Sequence, residues 1–367
     1  MRKKILTLEL LSVTIMSVGT RIRVLRIRQM TVTEIAKRAE VSIGTVDRVI
    51  HHRGRVSENT RARIQAIIDL EGYQPNPLAR QLKRNKEYLI GVLLPELEKE
   101  SKYWVLMWEG LQKAVESLSA FSFSLALFTF VRSDVESLRG AFDRMLKAKC
   151  TAWIIAPVMH EEITALLVKK GSDTLYAFVD SPVPDFGSVV TVAQNPFKGG
   201  FLAGRMMNLL SNSPGPFAVL LPYSEAFNLS ERARGFRKWY EPRTNVQIFD
   251  IPCSERHEEK IDDSLDFILA SCPNLQGVFG VSAAVHLVGD WAERRKIKDQ
   301  ITIVGFDLVP ENREALVRGS IDCLISQRPE EQGRLVLQQL YKKIVLDAEI
   351  GQLIEIPFDI FFKENLV

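Results

Sequence analysis

Charged, amide and aromatic side chains follow the ends of several β-rich runs, where they could bind a small polar molecule. Asp180 ends the run Ala177-Phe-Val, Asp307 follows Ile303-Val-Gly-Phe306, and Gln327 follows Cys323-Leu-Ile-Ser326. Charged and amide groups hydrogen-bond sugar hydroxyls in pairs, and an aromatic ring stacks on the apolar face of a sugar. The predicted ligand-binding residues are Tyr103, Trp104, Asp134, Asp180, Arg232, Asp307 and Gln327. Two alternatives stay open: Asp180 and Asp307 could cap helices, and Trp104 could belong to a core.

The pattern after residue 88 predicts the scaffold that would position these residues. Short β-rich runs alternate there with helical stretches, which is typical of βαβ units and parallel sheets. Ligands bind beyond the carboxyl ends of such strands. About 270 residues of this pattern suit two lobes that close on a cleft about a hinge. The nine runs are Tyr88–Leu94, Phe123–Phe130, Ala152–Ala156, Leu175–Val179, Phe217–Leu221, Val246–Ile251, Gly277–Val281, Ile301–Gly305 and Asp322–Ser326.

A separate segment near the start predicts two short helices joined by a tight turn. Thr31 and Glu34 have the spacing of a capping box, which begins a helix. Ser42 is a good N-cap for the next helix, which carries Val46, Val49 and Ile50 inward. Together they form a helix-turn-helix, whose second helix can lie in a DNA major groove.

A third helix is predicted after the polar turn at 51–55. Ser57 caps it and Gly72 ends it. Its apolar positions, which we expect to close a three-helix core, are Ile64, Ala66, Ile67, Ile68 and Leu70.

The net charge of +3 is distributed unevenly along the chain. Residues 1–29 hold seven Lys/Arg against one acid, residues 30–90 hold eleven against seven, and residues 91–367 carry a net charge of −7. A basic head on an acidic body indicates that the head meets a polyanion. The apolar content of 46% matches globular averages and predicts a large buried core.

The sequence lacks the motifs of common enzymes and metal sites. It has no GK[ST] phosphate loop, no G-x-G-x-x-G, no H-E-x-x-H and no G-x-S-x-G. Its five histidines show no metal-ligand spacing. The four cysteines are scattered, which indicates small core residues in a reducing compartment rather than disulfides or a zinc site. We therefore expect a protein that is not an enzyme and needs no cofactor.

Several motifs of the head resemble the headpiece and hinge of the lactose-repressor (LacI/GalR) family. They are Val41-Ser42-x-x-Thr45-Val46-x-Arg48, Val56-Ser57-x-x-Thr60-Arg61, Gly72-Tyr73-x-Pro75-Asn76 and Ala79-Arg80-x-Leu82. In the body, Arg232-Ala-Arg-Gly-Phe236 matches the family's R-x-x-G-F/Y, and the two-lobed layout is similar to its periplasmic-binding-protein-like core. The resemblance extends from Met30 to the end of the chain. It implies an all-α headpiece followed by an α/β domain of two Rossmann-like lobes.

The resemblance also implies roles for residues of the head. Thr31, Ser42, Thr45 and Asn76 would contact phosphates, while Ile43, Gly44 and Arg48 would face base edges, with Arg48 the best candidate for a guanine contact. Residues 76–83, which include Ala79 and Arg80, would form a hinge helix on the operator. Leu82 would wedge into a minor-groove step and kink the duplex.

The chain departs from the family at both candidate sites. Ile43 and Gly44 replace larger or polar base readers, and Asp47 brings a negative charge that could accept from a cytosine amine or hold Arg48. In the body, Ser282-Ala283-Ala284 stands where the family has Asn-Asp, and Gln194-Asn195 takes the place of a second pocket acid. We hypothesise that the ligand is less hydroxylated than a plain sugar, modified or anionic.

The predicted organisation has four parts. Residues 1–29 are a basic leader outside the working protein, with translation starting at Met30, or else a basic arm. Residues 30–74 form the headpiece, 75–87 the hinge and 88–367 the two-lobed domain. Lobe 1 is assigned about 88–192 and 327–345, and lobe 2 about 193–326 and 346–367.

The predicted function is that of a cytoplasmic transcriptional regulator. It would bind a pseudo-palindromic DNA operator as a homodimer or tetramer, respond to a small effector of the carbohydrate class, and have no membrane partner. The alternative is a solute-binding receptor without DNA function, which would require the leader to be a cleaved signal.

Overall fold

The chain is described here by a computed structural model. The structure describes residues 30–50, 53–71, 73, 86–98, 102–118, 121–171, 174–183, 186–223, 226–242, 246–253 and 258–366, together with two short antiparallel strands, β1 (Ser12–Thr14) and β2 (Arg23–Leu25). Its contacts divide it into two compact units, residues 1–80 and 81–367. The division falls inside the segment 75–87 that the sequence assigns to a hinge.

Three helices make up the described part of the first unit after residue 30: α1 (Val32–Arg38), α2 (Ile43–Ile50) and α3 (Glu58–Glu71). The predicted capping box is confirmed, because the Glu34 N–H donates to Thr31 Oγ1 at 3.3 Å and the Thr31 N–H donates to Glu34 Oε2 at 2.8 Å. Ser42 Oγ accepts from the Thr45 N–H at 3.2 Å at the start of α2. The capping box begins α1, and the Ser42 cap begins α2 directly after the turn that joins the two helices.

The core of the three helices is small and follows the predicted faces, with one exception. Its buried side chains are Ile35, Ala36, Ala39, Val46, Val49 and Ile64. The prediction that Ala66 and Leu70 also point inward is wrong, since Ala66 is exposed and Leu70 is 80% exposed. A helix turns 100° per residue, so the face that buries Ile64 returns at 67 and 68 rather than at 66 or 70.

The second unit contains two six-stranded sheets, each the centre of one lobe. The sheet of lobe 1 has the order β13-β7-β6-β5-β3-β4 and is parallel throughout. Its strands are β3 (Tyr88–Pro95), β4 (Phe123–Phe130), β5 (Ala152–Ile155), β6 (Leu175–Asp180), β7 (Thr191–Ala193) and β13 (Leu353–Glu355). The described helices of this lobe are α4 (Tyr103–Ser117), α5 (Val135–Lys147), α6 (His160–Lys170) and α12 (Pro329–Leu346).

The sheet of lobe 2 has the order β14-β12-β11-β10-β8-β9, in which only β14 runs antiparallel to its neighbour. Its strands are β8 (Phe217–Pro222), β9 (Ile248–Cys253), β10 (Gly277–Gly280), β11 (Thr302–Phe306), β12 (Cys323–Ser326) and β14 (Asp359–Phe361). Its helices are α7 (Pro196–Leu210), α8 (Phe227–Tyr240), α9 (Glu258–Ser271), α10 (His286–Arg295) and α11 (Pro310–Arg318). The prediction of two Rossmann-like lobes built from parallel strands is confirmed.

The predicted lobe boundaries need one correction. The segment 346–367 was assigned to lobe 2, but β13 pairs with β7 in the sheet of lobe 1, and only β14 joins lobe 2. The chain therefore crosses between the lobes near 194, 327 and 357. The third crossing could not be predicted from the sequence. The strands on either side of it, β13 and β14, are three residues long and partly exposed, so neither has a continuous apolar run.

Close contact between α7 and α8 fixes the base of lobe 2. An added Cβ at Gly200 would lie 1.8 Å from the carbonyl oxygen of Arg232, and one at Gly235 would lie 2.1 Å from that of Phe197. The two backbones therefore approach through glycine, which sets the position of Arg232. Among the described helices, none is long and apolar enough to cross a membrane.

Candidate functional site

Two aspartates, one from each lobe, lie close enough to a buried arginine in the cleft for their charges to interact. Asp180 ends β6 in lobe 1, Asp307 follows β11 in lobe 2, and Arg232 lies on α8. Their exposed fractions are 4%, 2% and 2%. Both aspartates have a positive φ, 70° and 67°, a conformation that aspartate tolerates at the end of a strand. The two lobes thus present equivalent carboxylates to one shared cation.

Arg232 is held by the backbone and an aromatic ring as well as by charge. One terminal nitrogen donates to the Val281 carbonyl at 2.7 Å, and the guanidinium carbon lies 3.9 Å from the centre of the Phe306 ring. Burial lowers the pKa of Arg232, and the charges of Asp307 and Asp180 oppose that change. The guanidinium is therefore fixed in direction.

The two aspartates receive different hydrogen-bond donors. Asp180 accepts from Asn228 Nδ2 at 2.9 Å, and Tyr103 acts to lower the pKa of Asp180. Asp307 accepts from the backbone N–H of Gln327 at 3.2 Å and from its Nε2 at 2.9 Å. Burial raises the pKa of Asp180, and it raises the pKa of Asp307 to about 6, with Arg232 opposing in both cases. Burial, followed by the charge of Asp180, also raises the pKa of Tyr103 well above its ordinary value.

The raised pKa of Asp307 predicts an unusual pH dependence of stability. Because the folded pKa of about 6 exceeds the ordinary value of 3.8, the folded state binds the proton more tightly than the unfolded chain. Stability from this group is present below pH 4, falls as the pH rises to about 6, and is constant above. The loss is on the order of 3 kcal/mol. In urea unfolding from pH 4 to 7.5, Asp307→Asn should lack this decline, and parallel curves would contradict the assignment.

Five predicted ligand residues lie together in the cleft, and two lie outside this cluster. The five are Tyr103, Asp180, Arg232, Asp307 and Gln327. Trp104 is 2% exposed in the core of lobe 1 and touches Tyr103 edge to face, with ring centres 4.9 Å apart. Asp134 caps α5 by accepting from the Ser137 N–H at 3.0 Å. Trp104 is therefore a core residue, which was the alternative left open for it. The aspartate that caps a helix is Asp134 rather than Asp180 or Asp307.

Five further residues face the cleft, and the sequence analysis names none of them. Arg132 is 8% exposed, lies 4.5 Å from the centre of the Tyr223 ring in the other lobe, and acts on the charge of Asp180. His160 of lobe 1 meets Phe227 of lobe 2 edge to face at 5.3 Å. Asn228 was detectable in principle, since it stands four residues before Arg232 and shares its helix face.

Two buried glutamines bond the chain segments that cross between the lobes. Gln194 donates from Nε2 to the carbonyls of Ser326 at 2.9 Å and Pro357 at 3.2 Å, so one amide joins all three crossings. Gln332 accepts from the Asp180 N–H at 2.9 Å and donates to the Gln327 carbonyl at 3.0 Å. Gln194, which stands where the family has a pocket acid, thus bonds to the other two crossings. Cavities of about 340 and 330 Å³ border the crossings, at Ser326 and at Gln194, and neither is lined by the two aspartates or Arg232.

The exposed face of α2 carries the predicted base-reading residues. Ile43, Gly44 and Arg48 are exposed, with Ile43 at 47%, while Val46 and Val49 face the core. An added Cβ at Gly54 would lie 3.4 Å from Arg48 Cδ, so the turn after α2 supports the arginine stem. The charge of Asp47 acts on Tyr73, whose pKa is raised mainly by burial.

Hydroxyl groups at the start of α2 are paired with each other. Ser42 Oγ and Thr45 Oγ1 lie 2.9 Å apart. One hydroxyl donates within the pair, which leaves the other proton for a phosphate. The predicted contacts Asn76, Ala79, Arg80 and Leu82 lie outside the described residues.

No cluster of potential metal ligands occurs among the described residues. Cys150, Cys272 and Cys323 are free thiols, and burial raises the pKa of Cys323 to about 12. That thiol is therefore protonated and packs as a small apolar group.

Two family models match the chain. The model for bacterial regulatory proteins of the lacI family matches residues 31–76, and the model for the periplasmic binding protein domain matches residues 90–347. The first covers α1 to α3 and the second covers most of both lobes.

The chain is also similar to curated repressors. It is 31% identical to the HTH-type transcriptional repressor PurR of Pectobacterium carotovorum subsp. carotovorum, over 89% of this chain and 94% of the relative. It is 25% identical to the ribose operon repressor of Halalkalibacterium halodurans, over 76% of this chain and 81% of that relative. These relatives are transcriptional repressors, which confirms the expectation that the chain is not an enzyme.

Solved structures share the fold of the two lobes. GanP, a glucose-galactose binding protein of Geobacillus stearothermophilus, superposes with a TM-score of 0.68 at 22% identity, covering 77% of this chain and 99% of that one. An ABC transporter solute binding protein of Agrobacterium vitis gives 0.65 at 17% identity, covering 76% and 96%. The capped helix-turn-helix, the two-lobed core and the full-length repressor relatives together show that the chain belongs to the lacI family of bacterial regulatory proteins.

Proposed function

We propose that this ligand-regulated transcription factor reads its operator with α2 and senses a sugar or sugar derivative in the cleft between its lobes. The observation that carries the DNA assignment is the exposed α2 face, on a helix that is capped at Ser42 and buries an apolar underside against the headpiece core. A solute receptor would have no use for such a helix. The repressor relatives support the same choice.

In the proposed DNA contact, side chains of α2 divide into base readers and phosphate ligands. Arg48 donates two hydrogen bonds to a guanine edge, and Ile43 meets a thymine methyl group. Gly44 allows close approach of the helix to the duplex. Thr31 and the Ser42–Thr45 pair contact phosphates, as does Asn76. Ala79, Arg80 and Leu82 belong to the proposed hinge helix in the minor groove.

The effector proposal rests on the chemistry of the buried cluster. Asp180, Asp307, Arg232, Gln327 and Tyr103 combine carboxylate, guanidinium, amide and phenol groups in one cleft. Such groups recognise several hydroxyls at once. Because Asp180 and Asp307 both lie in the cleft and would repel an anion, a neutral polyhydroxylated ligand suits the cleft better than the anionic one suggested by the departures in sequence.

We further propose a cytoplasmic homodimer or tetramer. The supporting feature is β4, an edge strand of lobe 1 whose Leu125, Leu127 and Phe128 are only partly buried. Apolar edges of this kind are usually covered. Two headpieces placed by a dimer would read the halves of a pseudo-palindrome.

A gel shift at several salt concentrations tests the proposed function. The protein should select a near-palindromic duplex from a random pool, and its affinity should fall steeply as salt rises because cationic groups displace counterions from phosphates. Failure to enrich any duplex would refute the DNA assignment. A thermal-shift screen of sugars, with and without the selected duplex, would identify the effector.

Substitution of Arg48 gives a sharper test of base reading. We expect Arg48→Ala to weaken binding to the selected operator by about 10–100-fold, with preference lost at one base pair. Arg48→Lys is the matched control, since it keeps the charge but loses the two-pronged contact. It should lose the same base preference while retaining the salt dependence. Equal losses on operator and random duplex would show that Arg48 contacts only the backbone.

A further inference from the structure

One hydrogen bond joins the two lobes at the centre of the cleft. Asn228 Nδ2, from lobe 2, donates to Asp180 Oδ2 of lobe 1 at 2.9 Å, and the two residues are 5% and 4% exposed. Asn228 Oδ1 accepts from the Leu229 N–H at 3.0 Å. This second bond orients the amide, so its nitrogen faces the carboxylate.

One oxygen of the Asp180 carboxylate is bonded within the protein, because Oδ2 accepts from Asn228. Two other buried atoms of the cluster, Arg232 Nε and Gln327 Oε1, have no hydrogen-bond partner in the protein. A donor and an acceptor are thus left for a ligand, while Oδ2 of Asp180 is occupied.

We propose that Asn228 is a specificity-determining residue that holds the ligand-free lobes together by taking the place of an effector hydroxyl on Asp180. The inference rests on the proposed effector cleft. An effector must displace the amide and supply its own donor to Asp180. It must also carry a hydroxyl that accepts from Arg232 Nε and donates to Gln327 Oε1. These demands select a compact polyhydroxylated molecule over an aromatic or purely anionic one.

Other contacts between the lobes are weaker candidates for this role. The ion pair of Lys102 with Glu311 lies at the rim, with side chains 41% and 34% exposed, where water screens the attraction. The contacts of Arg132 with Tyr223 and of His160 with Phe227 are ring contacts between the lobes, at 4.5 and 5.3 Å. The Asn228 bond is buried and ends on a charged acceptor, so its loss costs more than loss of the rim pair.

Small-angle X-ray scattering of the full chain, without DNA or effector, tests the proposal. Asn228→Ala and Asn228→Ser remove the amide donor, and both should show a larger radius of gyration than the wild type. The Asp180 amide hydrogen should also exchange about tenfold faster. Glu311→Ala, which breaks the rim ion pair, is the matched control and should stay compact.

The outcomes separate this inference from the proposed function. The inference would be overturned if both Asn228 variants kept the radius of gyration of the wild type. It would also be overturned if Glu311→Ala expanded as much as they do. Thermal melts identify a variant that has unfolded, and the serine variant, with its small polar side chain, then serves as the test. Failure of the wild-type protein to select an operator would refute the DNA assignment but leave the scattering result unaffected.

Discussion

Replacing Arg232 with methionine should lower the free energy of unfolding by about 3–5 kcal/mol, because it leaves two buried carboxylates without their shared cation. Asp180 and Asp307 are 4% and 2% exposed, so water cannot replace the guanidinium while the lobes stay closed. Methionine preserves most of the side-chain volume and isolates the effect of charge. Urea unfolding monitored by circular dichroism gives the free energy directly.

Arg234→Met is the matched control for this substitution. Arg234 lies two residues further along α8, its side chain is 61% exposed, and its ion pair with Glu231 lies at the surface. Its loss should cost about 0–1 kcal/mol. Adding Asp307→Asn to the Arg232 variant should recover part of the stability, since one of the two like charges is removed. Equal effects of the two arginine substitutions would show that the buried cluster contributes no electrostatic stabilisation.

Gly200→Ala should destabilise lobe 2 by about 3 kcal/mol or more. The added Cβ would lie 1.8 Å from the Arg232 carbonyl oxygen, and the nearest atoms belong to backbone rather than to a flexible side chain. Helix α7 must therefore move away from α8, which displaces Arg232 from both aspartates. We expect loss of the effector response together with a lower melting temperature.

Gly140→Ala, at another helical glycine, should raise the stability rather than lower it. Gly140 lies within α5, and the nearest atom to an added Cβ is Arg144 Nη1 at 3.6 Å. Alanine favours the helix, so this variant should gain about 0.5–1 kcal/mol. If both alanine variants raise the melting temperature, the close approach of α7 and α8 is not maintained in solution.

Much of the cleft was predictable because its residues follow buried parallel strands. Asp180, Asp307 and Gln327 each stand at the carboxyl end of a strand that reads as an apolar run, so their positions follow from topology. Arg232 was found through a motif. Gln332 was missed because its partner Asp180 lies 152 residues away and no local pattern encodes such a pair. The only local signal for Asn228 was its helical spacing from Arg232, and its partner Asp180 lies 48 residues away.

Other differences come from segments with little apolar periodicity. The edge strands β13 and β14 are short and partly exposed, so the sequence could not assign 346–367 to the correct sheets. Asp134 follows the strand β4, which suggested a cleft residue, but its carboxylate accepts from the Ser137 N–H and caps α5. In the headpiece, the identity of apolar residues suggested a wider core than the helix geometry allows, as Leu70 illustrates.

The amide of Gln194 has a mechanical consequence. Because it bonds to both neighbouring crossings, the three chain segments that connect the lobes cannot slide past one another without breaking the bonds to the Ser326 and Pro357 carbonyls. Relative motion is thereby reduced to rotation about an axis near this one side chain. A rotation there changes the separation of Lys102 and Glu311, which lie on opposite lobes, so Gln194 acts as the pivot of the lobe motion.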